Sequence, residues 1–312
     1  MSAATGLGLL DVAILEAIEA AGARRDGPYL KTQRVLDVLH ERTGIGPSQA
    51  YESLCDMARP YVVHLALVDF HGNYGSPDFG PAGARYTECR LTKLGEAALA
   101  AERGELDPLP IGLINGDLHH GGRRPPLDPR RVVEAIRAAA SGASDDSISQ
   151  IVGLPSFPSG CTITGELSAF ASGAPCEIVA SAVMADGETR GRSTVTITAL
   201  PPFTSASNIA ESVHYAVTYH GRVRPGLPPP ADDRTPCPVA EVNDGSAGDE
   251  TRLVVTARPD VSHTEVRRFL DGVRTIHQRV QVHLRRPIAA SIHDIATSSD
   301  LTLEAIEQAI RA

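Results

Sequence analysis

The sequence predicts an α+β chain in two parts, a helical N-terminal unit of helix-turn-helix layout followed by a mixed α/β unit, and three observations carry that reading. Apolar residues recur every three or four positions from Leu10 to Ala58, the spacing of amphipathic helices. Apolar and polar residues alternate later, as Val195, Ile197 and Ala199 do with Thr194, Thr196 and Thr198, the spacing of a half-buried strand. The chain has 312 residues, which suits about two domains at ~150 residues each.

Each element follows in order. Leu10, Ile14, Ile18 and Ala21, with Asp11, Glu16 and Glu19 between them, predict a helix ending near Gly22. A second helix is predicted over Lys31 to Arg42, and a third from Pro47, a residue suited to the first helical position, through Ala50, Leu54 and Met57. The turn Thr43-Gly44-Ile45-Gly46 joins them, and a β-rich run from Tyr61 to Phe70 follows, the layout of a helix-turn-helix with a wing. An ordinary helical corner in a small α/β domain gives the same pattern. Ser48 and Glu52 share the face of the third helix opposite Leu54 and Met57, so they point to solvent or to a ligand.

From Val68 to Glu96, Gly72, Gly75, Pro77, Gly80, Pro81 and Gly83 forbid a long regular element. Tyr86, beside Arg85, is therefore expected on an irregular loop at a helix start, where function tends to sit. Leu91, Leu94, Ala98 and Leu99 predict that helix, and residues 103–110 read as the connection between a first domain, 1–105, and a second, 106–312.

The loop LPIGLINGDLHHGGRRPPLDPRR carries Arg123, Arg124, Arg130 and Arg131, the residue type a phosphate-facing surface needs, although arginine-rich surface loops are common without a ligand. His119 and His120 point in different directions and lack further ligands at a usual spacing, so no metal site is expected. A helix is predicted over 131–140, strands over 161–167, 177–184 and 193–200, a helix over 208–219, a strand over 252–257 and a helix over 264–276. Residues 222–250 are so rich in Pro, Gly and Asp that a mobile insertion is expected there. Ser299 and Asp300 are expected to cap a final helix holding Leu303, Ile306 and Ile310.

Composition bounds the function classes. The 42% hydrophobic content suffices for ordinary cores, and there is no apolar run long enough for a membrane span. The N-terminus has no basic stretch before its apolar positions, so a cytoplasmic location is expected. Five dispersed cysteines without CxxC spacing suit free thiols in a reducing compartment. A formal charge of −9 argues against indiscriminate coating of nucleic acid, while leaving room for a local basic surface.

The segment LVDFHGNYGS followed by ARYTECRLTKLGE resembles the core signature of the breakage-reunion subunit of bacterial type IIA topoisomerases, the A subunit of DNA gyrase and of topoisomerase IV. Gly72-Asn73-Tyr74-Gly75-Ser76 and Arg85-Tyr86-Thr87-Glu88, with Arg90, Leu91, Thr92 and Lys93, match the family's LVDGQGNFGS and RYTEARLTK almost residue for residue. Upstream, RVLDVLHERTGIGPSQAYESLCDMA aligns on its helix-turn-helix, placing Ser48, Tyr51 and Glu52 on the DNA-facing helix, with Ser48 and Glu52 at its quinolone contact positions. Downstream, INGDLHHGG, RVVEAI and GLPSFPSGCTITG are similar to its NG loop, helix and GPDFPTGG segment, and the match runs from Arg34 to Leu270.

The resemblance implies a winged-helix domain followed by a tower-like domain. It implies that Tyr86 attacks a DNA phosphodiester with Arg85 clamping the phosphate. Ser48, Glu52, Arg90, Lys93, Arg123 and Arg124 would then face DNA. A phenol, with an ordinary pKa of ~10, needs a base or a charged neighbour to stabilise its phenolate as well as a clamp on the phosphate. Magnesium and ATP would be held by a gyrase B-like ATPase partner, in keeping with the lack of a GxxxxGK[ST] loop, and the active form would be a homodimer on double-stranded DNA.

Departures accompany the matches. Residues 1–30 lack the family's basic arm, Thr43-Gly44-Ile45-Gly46 replaces its HPHG turn, the intercalating isoleucine has no clear match, and the long coiled coil is expected to be absent. Two functional expectations follow: a shortened strand-cleaving subunit, or a gyrase-A-like protein that binds DNA or gyrase as a regulator or drug-protection factor. A transcription-factor-like module would leave the Arg85-Tyr86-Thr87-Glu88 motif unexplained.

Overall fold

The computed structural model describes residues 4–117, 121–218, 237–248, 250–273, 275–296 and 300–311. His119, His120, residues 222–236 and Ser299, for which the sequence raises expectations, lie outside the described residues.

The chain begins with α1 (Leu9–Ala21), entered where the Asp11 carboxylate accepts from the Gly8 N–H at 3.1 Å and left at Gly22, whose left-handed backbone ends it. After β1 (Leu30–Lys31) come α2 (Thr32–Thr43), stopped at Gly44, and α3 (Pro47–Asp56), with Pro47 in its first turn. The three helices pack together over Ile14, Ile18, Leu36, Leu39 and Leu54, all buried. Burying one such side chain contributes about 1.5–3 kcal/mol.

Two expectations change here. The β-rich run yields a strand only at its end, β2 (Val68–His71). Leu65 spends its backbone groups on a side chain instead: its N–H donates to Asn115 Oδ1 at 3.0 Å, and Asn115 Nδ2 donates to its carbonyl at 2.9 Å. The second change lies between Tyr86 and its helix, where β3 (Glu88–Leu91) intervenes before α4 (Lys93–Glu102). Strands β1, β3 and β2 form an antiparallel sheet in that order, with Leu30 and Phe70 both opposite Cys89.

The remainder is also α+β, with antiparallel sheets. It comprises α5 (Ile111–Asn115), α6 (Pro129–Ala140), α7 (Asp145–Val152), β4 (Thr162–Thr164), α8 (Leu167–Ala171), β5 (Cys176–Ser181), β6 (Val183–Thr189) and β7 (Arg192–Ala199). There follow α9 (Ala206–Thr218), β8 (Val239–Asp244), β9 (Leu253–Ala257), α10 (His263–Asp271), β10 (His277–Val282), α11 (Ile288–Ile295) and α12 (Asp300–Arg311). One sheet has the order β10-β5-β4, the other β6-β7-β9-β8. The strand expected over 161–167 is thus a short strand followed by a helix, and that over 177–184 is divided at Ala182 between two sheets. Part of the expected insertion, Val239–Asp244, is an ordered edge strand, because its backbone pairs with β9 from Val239↔Ala257 to Asp244↔Leu253.

The apolar core does not divide at residue 105. One cluster joins Ile14, Leu54 and Leu99 to Ile114, Ile136, Ile178, Ile292 and Ile306. A second, confined to 182–276, packs Ile209 and Val213 of α9 and Val266 and Leu270 of α10 on Val195, Ile197, Leu253 and Val255. On β7 Val195 and Ile197 are fully buried as predicted, while Thr194, expected on the polar face, is buried too.

His64 crosses from the first segment to the Pro-rich turn near residue 156, where its Nε2–H donates to the Ser156 carbonyl at 2.8 Å. Burial pushes its pKa below the ordinary histidine value. A neutral folded histidine that charges on unfolding contributes no penalty well above pH ~6.5 and destabilises the fold as pH falls below that unfolded value. His64→Gln is therefore expected to lose less stability than the parent between pH 7.5 and 5.5, as measured by urea denaturation at each pH.

Candidate functional site

The site is built where α3 meets the loop between β2 and β3. Gly72 and Gly75 have φ of 107° and 95°, and a Cβ on Gly75 would stand 2.8 Å from the Phe79 carbonyl oxygen, so glycine is required there. The loop's own bonds close it: the Ala82 N–H donates to the Asn73 carbonyl at 2.9 Å, and the Ser76 N–H to the Phe79 carbonyl at 2.8 Å. At its exit a single 3-10 turn, Ala84–Tyr86, is closed by the Tyr86 N–H donating to the Gly83 carbonyl at 2.8 Å.

This turn leaves Tyr86 69% exposed, with the Arg85 guanidinium carbon 5.0 Å from its ring centroid. The residue after it is fixed. Thr87 is fully buried; its hydroxyl donates to Thr32 Oγ1 at 2.9 Å, and its carbonyl accepts from the Thr32 N–H at 3.0 Å. Tyr51 of α3 adds a second hold, donating its hydroxyl to the Ala82 carbonyl, with Thr87 Oγ1 at 3.2 Å. Burial pushes the Tyr51 phenol up to about 12, so it stays protonated as a donor.

The expected site residues divide by what they touch. Ser48 and Glu52 are exposed on α3, and Glu52 reaches Arg59 at 2.5 Å. Lys93 is exposed at the start of α4, donating to Gln308 of α12. Arg123 is exposed and its carbonyl accepts from the His283 N–H at 2.8 Å. It borders a recess of about 330 Å³ that it shares with Asp117, His283 and Arg285.

Arg124 differs from the expectation of a solvent-facing cation, whereas Arg90 stays partly exposed but is paired. The Arg124 side chain is only 12% exposed and donates to the Gly6 carbonyl at 2.9 Å, and burial lowers its pKa. Arg90 pairs with Asp69 at 2.9 Å and lies 4.1 Å from the Tyr29 ring centroid. In both cases an internal acceptor holds the guanidinium. Among the described residues no three His, Cys, Asp or Glu side chains gather to hold a metal ion, and no helix is long and apolar enough to cross a membrane.

Two residues of the site were not anticipated. Arg59 lies three residues past the end of α3, where the chain turns back so that its guanidinium reaches Glu52 and Asp56 of that helix. Asp78 carries no local signal: its Oδ1 accepts from the Ser207 N–H of α9 at 2.9 Å, capping a helix distant in sequence. Beside it opens a cleft of about 1030 Å³, lined by Arg59, Tyr61, Phe79, Phe157, Phe203 and Arg252. Asp78→Ala is expected to cost about 0.5–2 kcal/mol, the usual value of a lost cap, measurable by chemical denaturation.

No family model matches the chain. Against individual proteins, an alignment over 229 positions that covers 64% of the chain is 29% identical to the DNA gyrase A protein of Leptospira biflexa. An alignment over 300 positions that covers 86% of the chain is 26% identical to that of Aminobacterium colombiense. The chain is similar to the A subunit of DNA gyrase. The chloroplastic/mitochondrial DNA gyrase A protein of Nicotiana benthamiana is 36% identical over 133 residues, 41% of the chain and 14% of the plant protein. The chain spans 27% of the Leptospira gyrase A and 34% of the Aminobacterium one, about a third or less of their length.

Proposed function

We propose that the chain is a gyrase-A-like DNA-engaging protein in which Tyr86 is the nucleophile for reversible strand cleavage. The observation that carries this reading is the exposed Tyr86 phenol on a turn that is pinned through Thr87 and Ala82 to α2 and α3, with the Arg85 guanidinium beside its ring. An otherwise mobile loop would not hold a nucleophile in attack geometry, and misplacement by about 1 Å can cost about 100-fold in rate.

In the proposed step the Tyr86 oxygen attacks phosphorus and the bond to the 3′ oxygen breaks. The phenolic proton ends on the released 3′-hydroxyl, and a 5′-phosphotyrosine remains. Reversal by that hydroxyl restores both strand and phenol. Arg85 donates to the phosphate oxygens as charge develops, a role worth roughly 10²–10³ in rate for a single donor. Ser48 and Glu52 face the duplex, and Arg123 and Lys93 are the exposed cations available to its phosphates. Arg124 supports those surfaces from within, and Arg90 does so from the surface through its pair with Asp69.

In this reading α1 to β3 form a winged helix, the later sheets correspond to a tower-like unit, and the chain works in the cytoplasm as a homodimer with a gyrase B-like ATPase. That partner would hold ATP and magnesium, and magnesium would supply charge stabilisation at the cleaved phosphate.

A second reading, a non-cleaving DNA- or gyrase-binding regulator or drug-protection factor, draws support from the net charge of −9 and from the internal pairing of Arg90 and Arg124. The deciding experiment combines the purified chain, a gyrase B protein, magnesium and supercoiled plasmid, stopped with denaturant. A covalent protein–DNA complex supports the cleaving role; duplex binding at low salt without a complex supports the regulator.

A further inference from the structure

One side chain, Arg59, connects helix α3 to the loop that carries the tyrosine. It sits just past α3, at the mouth of the large cleft, and only 7% of its side chain is exposed. Its Nη1 donates to Glu52 Oε1 at 2.5 Å and to Asp56 Oδ1 at 2.6 Å, and its Nε donates to the Tyr74 carbonyl at 2.8 Å. Next along the loop, a Cβ on Gly75 would stand 3.1 Å from Arg59 Nη2, so a side chain there would crowd the guanidinium.

We propose that Arg59 is a positioning residue for Tyr86, its guanidinium tying the carboxylates of Glu52 and Asp56 to the entry of the loop that ends in the tyrosine. This rests on Tyr86 being the nucleophile.

The loop is thereby gripped near both ends, towards its entry by Arg59, just past α3, on Tyr74 and at its exit by Tyr51 of α3 on Ala82. The two grips differ in kind. The hold of Tyr51 is neutral and turned inward, whereas the hold of Arg59 includes Glu52, whose side chain is 58% exposed on the face carrying Ser48. The Glu52 carboxylate is thus already closed on the guanidinium with its side chain still largely exposed, so the entry of the loop is tied to the outward face of α3. Lysine reproduces the hold poorly, because the carboxylates are served from Nη1 and the carbonyl from Nε, two separate nitrogens of one rigid plane, where an ammonium offers a single nitrogen.

The experiment uses Arg59→Lys and the double variant Asp56→Asn/Arg59→Met in the full chain. The double variant leaves no uncompensated buried charge and so guards against simple unfolding. Amide exchange at Ser76 and Ala82 is expected to rise about tenfold or more in both variants, with exchange in α1 and β7 unchanged. The rate of covalent complex formation at saturating duplex is expected to fall about 10- to 100-fold, with the duplex Kd within about twofold. Unchanged exchange at Ser76 and Ala82 overturns the proposal whatever the cleavage result. So does raised exchange with an unchanged cleavage rate, and so does a loss of duplex affinity as large as the loss of rate, which would make Arg59 a DNA contact. If the unsubstituted chain forms no covalent complex, the nucleophile reading fails and with it the catalytic role of Arg59. The exchange data then decide separately whether Arg59 holds the loop.

Discussion

Tyr86→Phe is expected to reduce the covalent protein–DNA complex to background while leaving duplex affinity within about twofold, because the change removes one oxygen and keeps the ring against which Arg85 lies. Tyr86 is 69% exposed, so stability should change by no more than about 0.5 kcal/mol, as for most surface substitutions. Complex formation is read by trapping with denaturant and digesting the protein; affinity is read by titrating a labelled duplex at fixed low salt. Arg85→Gln separates clamp from nucleophile. It should slow formation of the complex by roughly 10²–10³ without abolishing it. A complex that survives Tyr86→Phe would place the nucleophile elsewhere and end the proposal.

The largest expected effect on stability is at Arg59. Arg59→Met alone should destabilise the chain by about 3–5 kcal/mol, the usual consequence of removing one partner of a buried pair. Asp56 is left behind with its side chain 11% exposed and without the guanidinium that balanced it. Asp56→Asn combined with Arg59→Met should recover most of that loss, since no charge is then stranded, and Glu52 is exposed enough to be solvated. The comparison is made by urea denaturation of the parent, the single and the double variants. If the single and double variants are equally destabilised, the cost lies in lost packing and not in the stranded carboxylate.

What could be read from the chain depended on how local the cause was. Helices α1, α2 and α3 were legible because their ends and faces are set by neighbouring residues: Gly22 and Gly44 stop two of them, Pro47 starts the third, and the apolar spacing fixes which side packs. Strand β7 was legible for the same reason. The run from Tyr61 misled because its β-forming residues meet Asn115, which takes the hydrogen bonds a strand partner would have taken. Strand β8 lies in a stretch whose composition argues against order, and it is held by pairing with β9.

The candidate site divides in the same way. The sequence alone determined that Tyr86 and Arg85 lie next to each other after a glycine-rich loop, and that Ser48 and Glu52 share an outward helical face, since adjacency and helical spacing are properties of the chain itself. Only the tertiary structure decided that Tyr51 and Arg59 hold that loop near its two ends, that Asp78 caps α9, and that Arg90 and Arg124 are engaged with internal acceptors. A charged or polar side chain is committed by whichever partner folding brings within hydrogen-bonding distance, and those partners are remote in sequence.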